Sequence, residues 1–273
     1  MSSANRWGIL GLLAAAMLLA TGCNRLKARD QLNKGVRAYK SAQFSVAAEH
    51  FKDAVRLDPS LITARLYLAI TYQNQFVAGN PSPDNLRIGQ QSVDVYNSIL
   101  KMQPNNANAI AGIASIYYGM GKFETARKYY QEQIQRDPND PVPYYTIGVI
   151  DWNESYRPRI TTRLKYGITN PQAPFVARRA PRIIVRACKN LAATNLPIVN
   201  DGLQMLHKAM ELRQNYVNAM TYVNLLYREK ADMECGNQAA ARQDTAKANK
   251  WYNLAQKLSI EQARAASRAS ASR

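Results

Sequence analysis

Three cysteines, Cys23, Cys188 and Cys235, and two histidines, His50 and His207, are the chain's whole supply of thiols and imidazoles. Such groups act as nucleophiles when a base stands beside a thiol, and hold metals when several recur at short fixed spacing. Neither pattern is present: the histidines are isolated, no Cys or His spacing matches a ligand set, and no GxSxG, HExxH, Walker-type or Cys-His signature occurs. No catalytic residue, metal or cofactor is therefore expected, and the chain reads as a non-enzyme. The thiol chemistry left over is attachment and cross-linking. In an oxidising compartment Cys188 and Cys235 can pair if their Cα atoms come within roughly 4.4 to 6.8 Å. Two small buried thiols are the alternative, and the residues leave both open.

The second chemically pointed stretch is electrostatic. The formal net charge is +17, and the segment from Ser155 to Asn190 carries nine Arg or Lys with no Asp or Glu. Pro158, Pro171 and Pro174 predict an irregular first part. From Pro181 to Ala192, Ile184, Ala187, Cys188 and Leu191 fall on one helical face, with Arg182, Arg186 and Lys189 largely on another, and Arg178 and Arg179 just ahead. A basic amphipathic helix of this kind either lies on an anionic lipid or glycan surface or docks its apolar face on the rest of the chain and leaves its bases solvated. No nucleic-acid module is present, and nucleic acid is not an expected partner.

The elements that would position these groups are helices. Between Asn105 and Pro138, Ile110, Ile113, Ala114 and Tyr117 form one stripe at three- and four-residue spacing, and Phe123, Ala126 and Tyr130 a second, with Gly121 and Lys122 as the turn between them. A hairpin of two such helices cannot bury its stripes alone and must stack on copies. The copies are legible: Gly35, Phe44, Ala47, Phe51 and Ala54 before Pro59, then Ala69, Tyr72, Ser92, Tyr96 and Ile99 before Pro104, then Ile147 and Gly148. Pro104 and Pro138 are 34 residues apart. This period, with its alternation of small and aromatic residues, resembles the tetratricopeptide repeat family.

The resemblance implies an all-α fold, a right-handed α–α superhelix of about five hairpins starting near Arg29, Ile62, Asn106, Pro141 and Val217, the fourth interrupted by the basic insert. It also implies that the first helix of each repeat lines a concave groove. Carried onto this chain, the groove takes Leu32, Val36 and Tyr39, then Leu66, Tyr67, Ile70 and Gln73, then Ala111, Ser115 and Tyr118. Tyr145, Thr146, Val149 and Trp152, and finally Thr221, Tyr222 and Leu225, complete it. Leu32 and Val36 stand where relatives that clasp acidic chaperone tails have Lys and Asn, so a helical or extended apolar peptide is the expected guest. Repeat two is stretched in its middle, where Gly79, Asn80 and Pro81 read as a turn and Ser82 with Pro83 as an N-cap and first helical residue.

At the start, Arg6 precedes an uncharged apolar run from Gly8 to Ala20, too short for a comfortable membrane span. Leu19 to Cys23 resembles the lipobox of bacterial lipoproteins, which implies cleavage and acylation of Cys23. Ala20 stands where that pattern favours Leu. Asn24 is not the aspartate associated with inner-membrane retention, so the expected address is the cell envelope, lipid-anchored in the outer membrane and facing the periplasm, with another envelope protein as partner. The expected division is a signal peptide at 1–22, a lipidated linker at 23–28, repeats at 29–154, the basic insert at 155–197, the closing helices at 198–260 and a disordered tail at 261–273.

Overall fold

The computed structural model describes residues 23–170, 173–177 and 180–271, and among them every regular element is a helix. The apolar leader, Pro171, Arg178 and Arg179 lie outside the described residues. The helices are α1 (from residue 23 to 40), α2 (Phe44–Leu57), α3 (Ile62–Gln75), α4 (Pro83–Met102), α5 (Ala107–Gly119), α6 (Phe123–Arg136), α7 (Pro141–Lys165), α8 (Arg182–Leu212), α9 (Val217–Asp232) and α10 (Gln238–Ala271). They form two compact units, one ending at Glu132 and the other beginning at Gln133. This is the all-α class of successive helical hairpins that the repeat pattern predicts.

In the first unit the hairpins close where small residues let helices approach. A Cβ on Gly35 would come within 2.5 Å of the Phe51 ring, which is fully buried between α1 and α2. Burying such a ring contributes roughly 1.5–3 kcal/mol. Ala38, Ala47, Leu68 and Tyr72 complete that layer, and Val93, Tyr96, Ile99, Ile113 and Ile116 build the next, between α4 and α5. Gly121, at φ 71°, takes the left-handed conformation that turns α5 into α6. The stretched middle of repeat two is held by one side chain: buried Asn85 accepts from the Val77 amide at 2.8 Å and donates to the carbonyls of Val77 and Asn80. Ser82 caps α4 through the Asn85 amide, with Pro83 in the first turn.

The second unit departs from several expectations. The insert does not begin irregularly: α7 runs through Pro158 to Lys165. A proline inside a helix costs about 3 kcal/mol. Here the far side of the break is pinned by Arg159 and Arg163, which both reach Asp232 on α9. Nor is the following helix delayed to Ile198. It starts at Arg182 and passes through Pro197 as α8, anchored beside the break by buried Asn195, whose amide donates to the Ser155 carbonyl at 2.8 Å. Of the described residues of the insert, only 166–170, 173–177, 180 and 181 lie outside helices. The tail from Glu261 is also helical, to Ala271. Its Ala, Arg, Gln and Glu are good helix formers with no Gly or Pro among them, so α10 continues beyond the residues it buries. The expected linker at 23–28 is also part of α1, and Ala28 within it is fully buried.

Candidate functional site

In the second unit α7 and α9 lie side by side, and the aromatic residues that the sequence assigns to a groove converge on that face. Tyr145 and Tyr222 meet edge to face with ring centroids 5.9 Å apart, and Trp152 meets Tyr222 at 5.3 Å. The row extends at both ends. Tyr216 packs on Tyr145 at 5.0 Å, and Tyr156 on Trp152 at 5.1 Å. Each end carries a cation: the Arg213 guanidinium lies 4.5 Å from the Tyr216 ring centre, and that of Arg159 lies 5.7 Å from Tyr156. Spacings of seven and four residues along α7 place Tyr145, Trp152 and Tyr156 on one face. Tyr145, Trp152 and Tyr222 are half-buried, and Tyr156 is 38% exposed. Burial pushes the Tyr222 hydroxyl pKa upward, and it does the same at Tyr216 against the opposing pull of Arg213. The rings thus stay neutral and amphipathic, each with a buried face and a polar edge.

Two residues expected in this groove are core instead. Thr146 and Val149 are 9% and 3% exposed, because the α7 face they occupy turns inward. Thr221 is exposed, and Leu225 reaches a cavity of about 300 Å³ at the Tyr156 end of the row. That cavity is also lined by Trp152, Tyr156, Arg159, Arg228, Glu229 and Asp232. The Asp232 carboxylate accepts from Arg159 at 2.7 Å and from Arg163 at 2.8 Å. Arg163 spends a further nitrogen on the carbonyls of Asn170 and Ala173. Glu229 is 1% exposed, and its carboxyl oxygens make no hydrogen bond. Burial pushes its pKa up to about 7, while nearby Ser155 and Arg159 pull it down and Asp232 adds to the rise. The sequence reading missed Arg159, Arg163, Arg228, Glu229 and Asp232 as a group. The only signal was helical spacing, Arg159 with Arg163 and Glu229 with Asp232.

In the first unit the predicted lining is more tightly spent. Tyr67 stacks on Phe51 at 5.4 Å and meets Tyr39 edge-on at 6.1 Å, while the Tyr39 hydroxyl accepts from Asn74 at 2.5 Å. Leu32, Val36, Leu66 and Ile70 pack against the two cores. Gln73 ties three helices, accepting from the Tyr96 hydroxyl at 2.8 Å and donating to Ser115 at 3.4 Å. Tyr118 is half-buried against Phe123, and Ala111 and Ser115 are exposed.

Cys188 and Cys235 are joined, with Cα atoms 5.5 Å apart, linking the first turns of α8 to the α9–α10 loop. The apolar face of the basic helix is occupied: Cys188, Leu191 and Ala192 are buried and Ile184 and Val185 pack on the same core. Arg182, Arg186 and Lys189 are exposed. Cys23 is exposed at the first described position. His50 contacts the Gln31 carboxamide at 2.8 Å, and His207 faces the Trp251 ring and its own helix backbone. Among the described residues no group of three His, Cys, Asp or Glu could hold a metal, and no helix is long and apolar enough to cross a membrane.

Residues 107–140 match the model of the tetratricopeptide repeat. Over 59 residues the chain is 37% identical to tetratricopeptide repeat protein 8 of Caenorhabditis elegans, an overlap of 22% of this chain and 12% of that protein's length. Among solved structures, MamA is similar at TM-score 0.56 and 13% identity, covering 87% of this chain and 94% of that one. MamA 41-end from Desulfovibrio magneticus RS-1 is similar at TM-score 0.57 and 15% identity, covering 86% and 97%. YrrB, described as a tetratricopeptide repeat protein with an unusual peptide-binding site, is similar at TM-score 0.51 and 13% identity, covering 84% and 90%. At such identities the likeness is one of fold.

Proposed function

We propose that this chain is a non-enzymatic adaptor of the tetratricopeptide type, which holds another protein of the bacterial cell envelope by a helical or extended apolar segment laid along the α7/α9 ring row. The observation that carries the reading is the row itself: five aromatic rings in continuous contact, with Tyr145, Trp152 and Tyr222 partly buried and Tyr156 exposed. Aromatic anchors of this kind dominate interface energetics, since a ring buries much area at little rotamer cost and its polar edge keeps a partner. That YrrB is described as peptide-binding agrees with it. The anchor belongs to the same proposal: acylated Cys23 holds the adaptor at a membrane, in the outer membrane facing the periplasm, on the strength of the Leu19-to-Cys23 pattern and of Asn24.

The two halves are tested separately. A photoreactive amino acid at exposed Thr221 is expected to crosslink in intact cells to one protein, and Trp152→Ala is expected to abolish that adduct. Metabolic labelling with palmitate is expected to mark the protein, and Cys23→Ser to remove the label. An adduct indifferent to Trp152→Ala overturns the ring face, and an unlabelled chain overturns the anchor alone.

A further inference from the structure

The cavity at the Tyr156 end of the ring row is short of negative charge. Two guanidiniums line it, those of Arg159 and Arg228, and a third, that of Arg163, draws on the same acid, Asp232, without lining the cavity. Asp232 serves two of them through a single oxygen. Arg163 spends three of its five N–H groups on that oxygen and two backbone carbonyls, while the Arg159 Nε is buried and donates to nothing. Arg228 has only neutral acceptors, the carboxamide oxygens of Asn224 at 2.9 Å and Asn249 at 3.0 Å. From α10, Asp244 is engaged by Lys247 at 3.1 Å and supplies no counter-charge. That leaves Glu229, nearly fully buried and without a hydrogen bond. Even with Glu229 ionised, the three guanidiniums share two carboxylates, and Arg228 pairs with neither. With it protonated, the deficit grows and its O–H becomes a donor.

The geometry points to a subsite for a carboxylate, an acidic side chain of the bound segment seated between Arg159 and Arg228 with its aliphatic stem against Trp152 and Tyr156. The inference rests on the reading of the ring row as the partner-binding face. A carboxylate answers what is unmet there: it takes up the terminal N–H groups of Arg159 that Asp232 leaves over, and gives Arg228 an ionic partner. Hydrogen bonds between ions are about twice as strong as neutral ones. A phosphate dianion fits less well, because its second charge would face Asp232 and Glu229 at close range. A lysine would add a fourth cation.

The test uses the full chain and two probes of one shape, 3-phenylpropionate and its neutral amide, followed through the indole N–H resonance of Trp152 in protein labelled at tryptophan and assigned with Trp152→Phe. The carboxylate is expected to shift that resonance saturably and to bind at least roughly tenfold more tightly than the amide. Arg228→Gln is expected to erase the preference, Arg228→Lys to restore part of it, and Glu229→Gln to keep it, with circular dichroism showing each variant folded. Equal binding of the two probes, or a preference that survives in Arg228→Gln, overturns the subsite. If both probes bind equally and lose affinity only in Trp152→Ala, the subsite fails while the ring face stands. Silence of the resonance to both probes also overturns the subsite, and the ring face is then judged by the Thr221 adduct.

Discussion

Asp232 lies under two guanidiniums with little access to water: the side chains of Arg159, Arg163 and Asp232 are 13%, 3% and 12% exposed. Removing one member of such a group leaves charge buried without a partner, so Asp232→Ala is predicted to cost about 3–5 kcal/mol, read as a lowered urea midpoint. Glu229 acts in the opposite sense. Its folded pKa is raised from 4.5 to about 7 by burial, so the folded state holds its proton where the unfolded chain releases it. The associated stability is complete below pH 4.5 and is lost as pH rises to about 7. Glu229→Gln is predicted to remove that loss, making the variant more stable than the parent at pH 8 by roughly 2–4 kcal/mol and no more stable at pH 4. None of this was legible in the chain's order. Arg159 and Arg163 sit in a run of bases that composition describes as one patch, and their acid lies 69 residues beyond Arg163.

At the scale of elements, propensity misled where tertiary anchors are strong. Pro158 reads as irregular and the next helix is expected only from residue 198, yet α7 runs through Pro158 and α8 starts at Arg182 and runs through Pro197, because Arg159 and Arg163 beyond the first proline and Asn195 before the second bind groups on other helices. The starts of α3, α5, α7 and α9 follow the sequence reading closely, since the apolar stripe and its cap or turn residues are local signals. The basic helix at the head of α8 depends on its link to Cys235. Replacing Cys188 and Cys235 together by Ser removes a cross-link across 47 residues, which is predicted to cost about 3–4 kcal/mol. Hydrogen exchange should rise first at residues 182–192. The end of α10 is a contrary case. Residues 259–268 are all exposed, so ending the chain after Leu258 is predicted to move the thermal midpoint by less than about 2 °C.

At the scale of the whole molecule, the period of 34 residues between Pro104 and Pro138 was enough to read out stacked helical hairpins, because a hairpin with one greasy stripe has few other ways to hide it. The ring-bearing positions were legible in part. Tyr145, Trp152 and Tyr222 do gather on one face, whereas Tyr39 and Tyr67 are largely taken up by Phe44, Phe51 and each other. Spacing along a helix names a face but does not say how deeply its neighbours bury it. We therefore propose the unit from Gln133 onward as the partner-binding part, and Tyr67→Ala is predicted to lower stability without changing the crosslinked partner.

The most direct measurement is photocrosslinking from Thr221 in intact cells, compared between the parent chain, Trp152→Ala and Tyr67→Ala at matched abundance. The account predicts one discrete adduct in the parent and in Tyr67→Ala, lost in Trp152→Ala. An adduct that persists undiminished in Trp152→Ala, or one that disappears only with Tyr67→Ala, would contradict it.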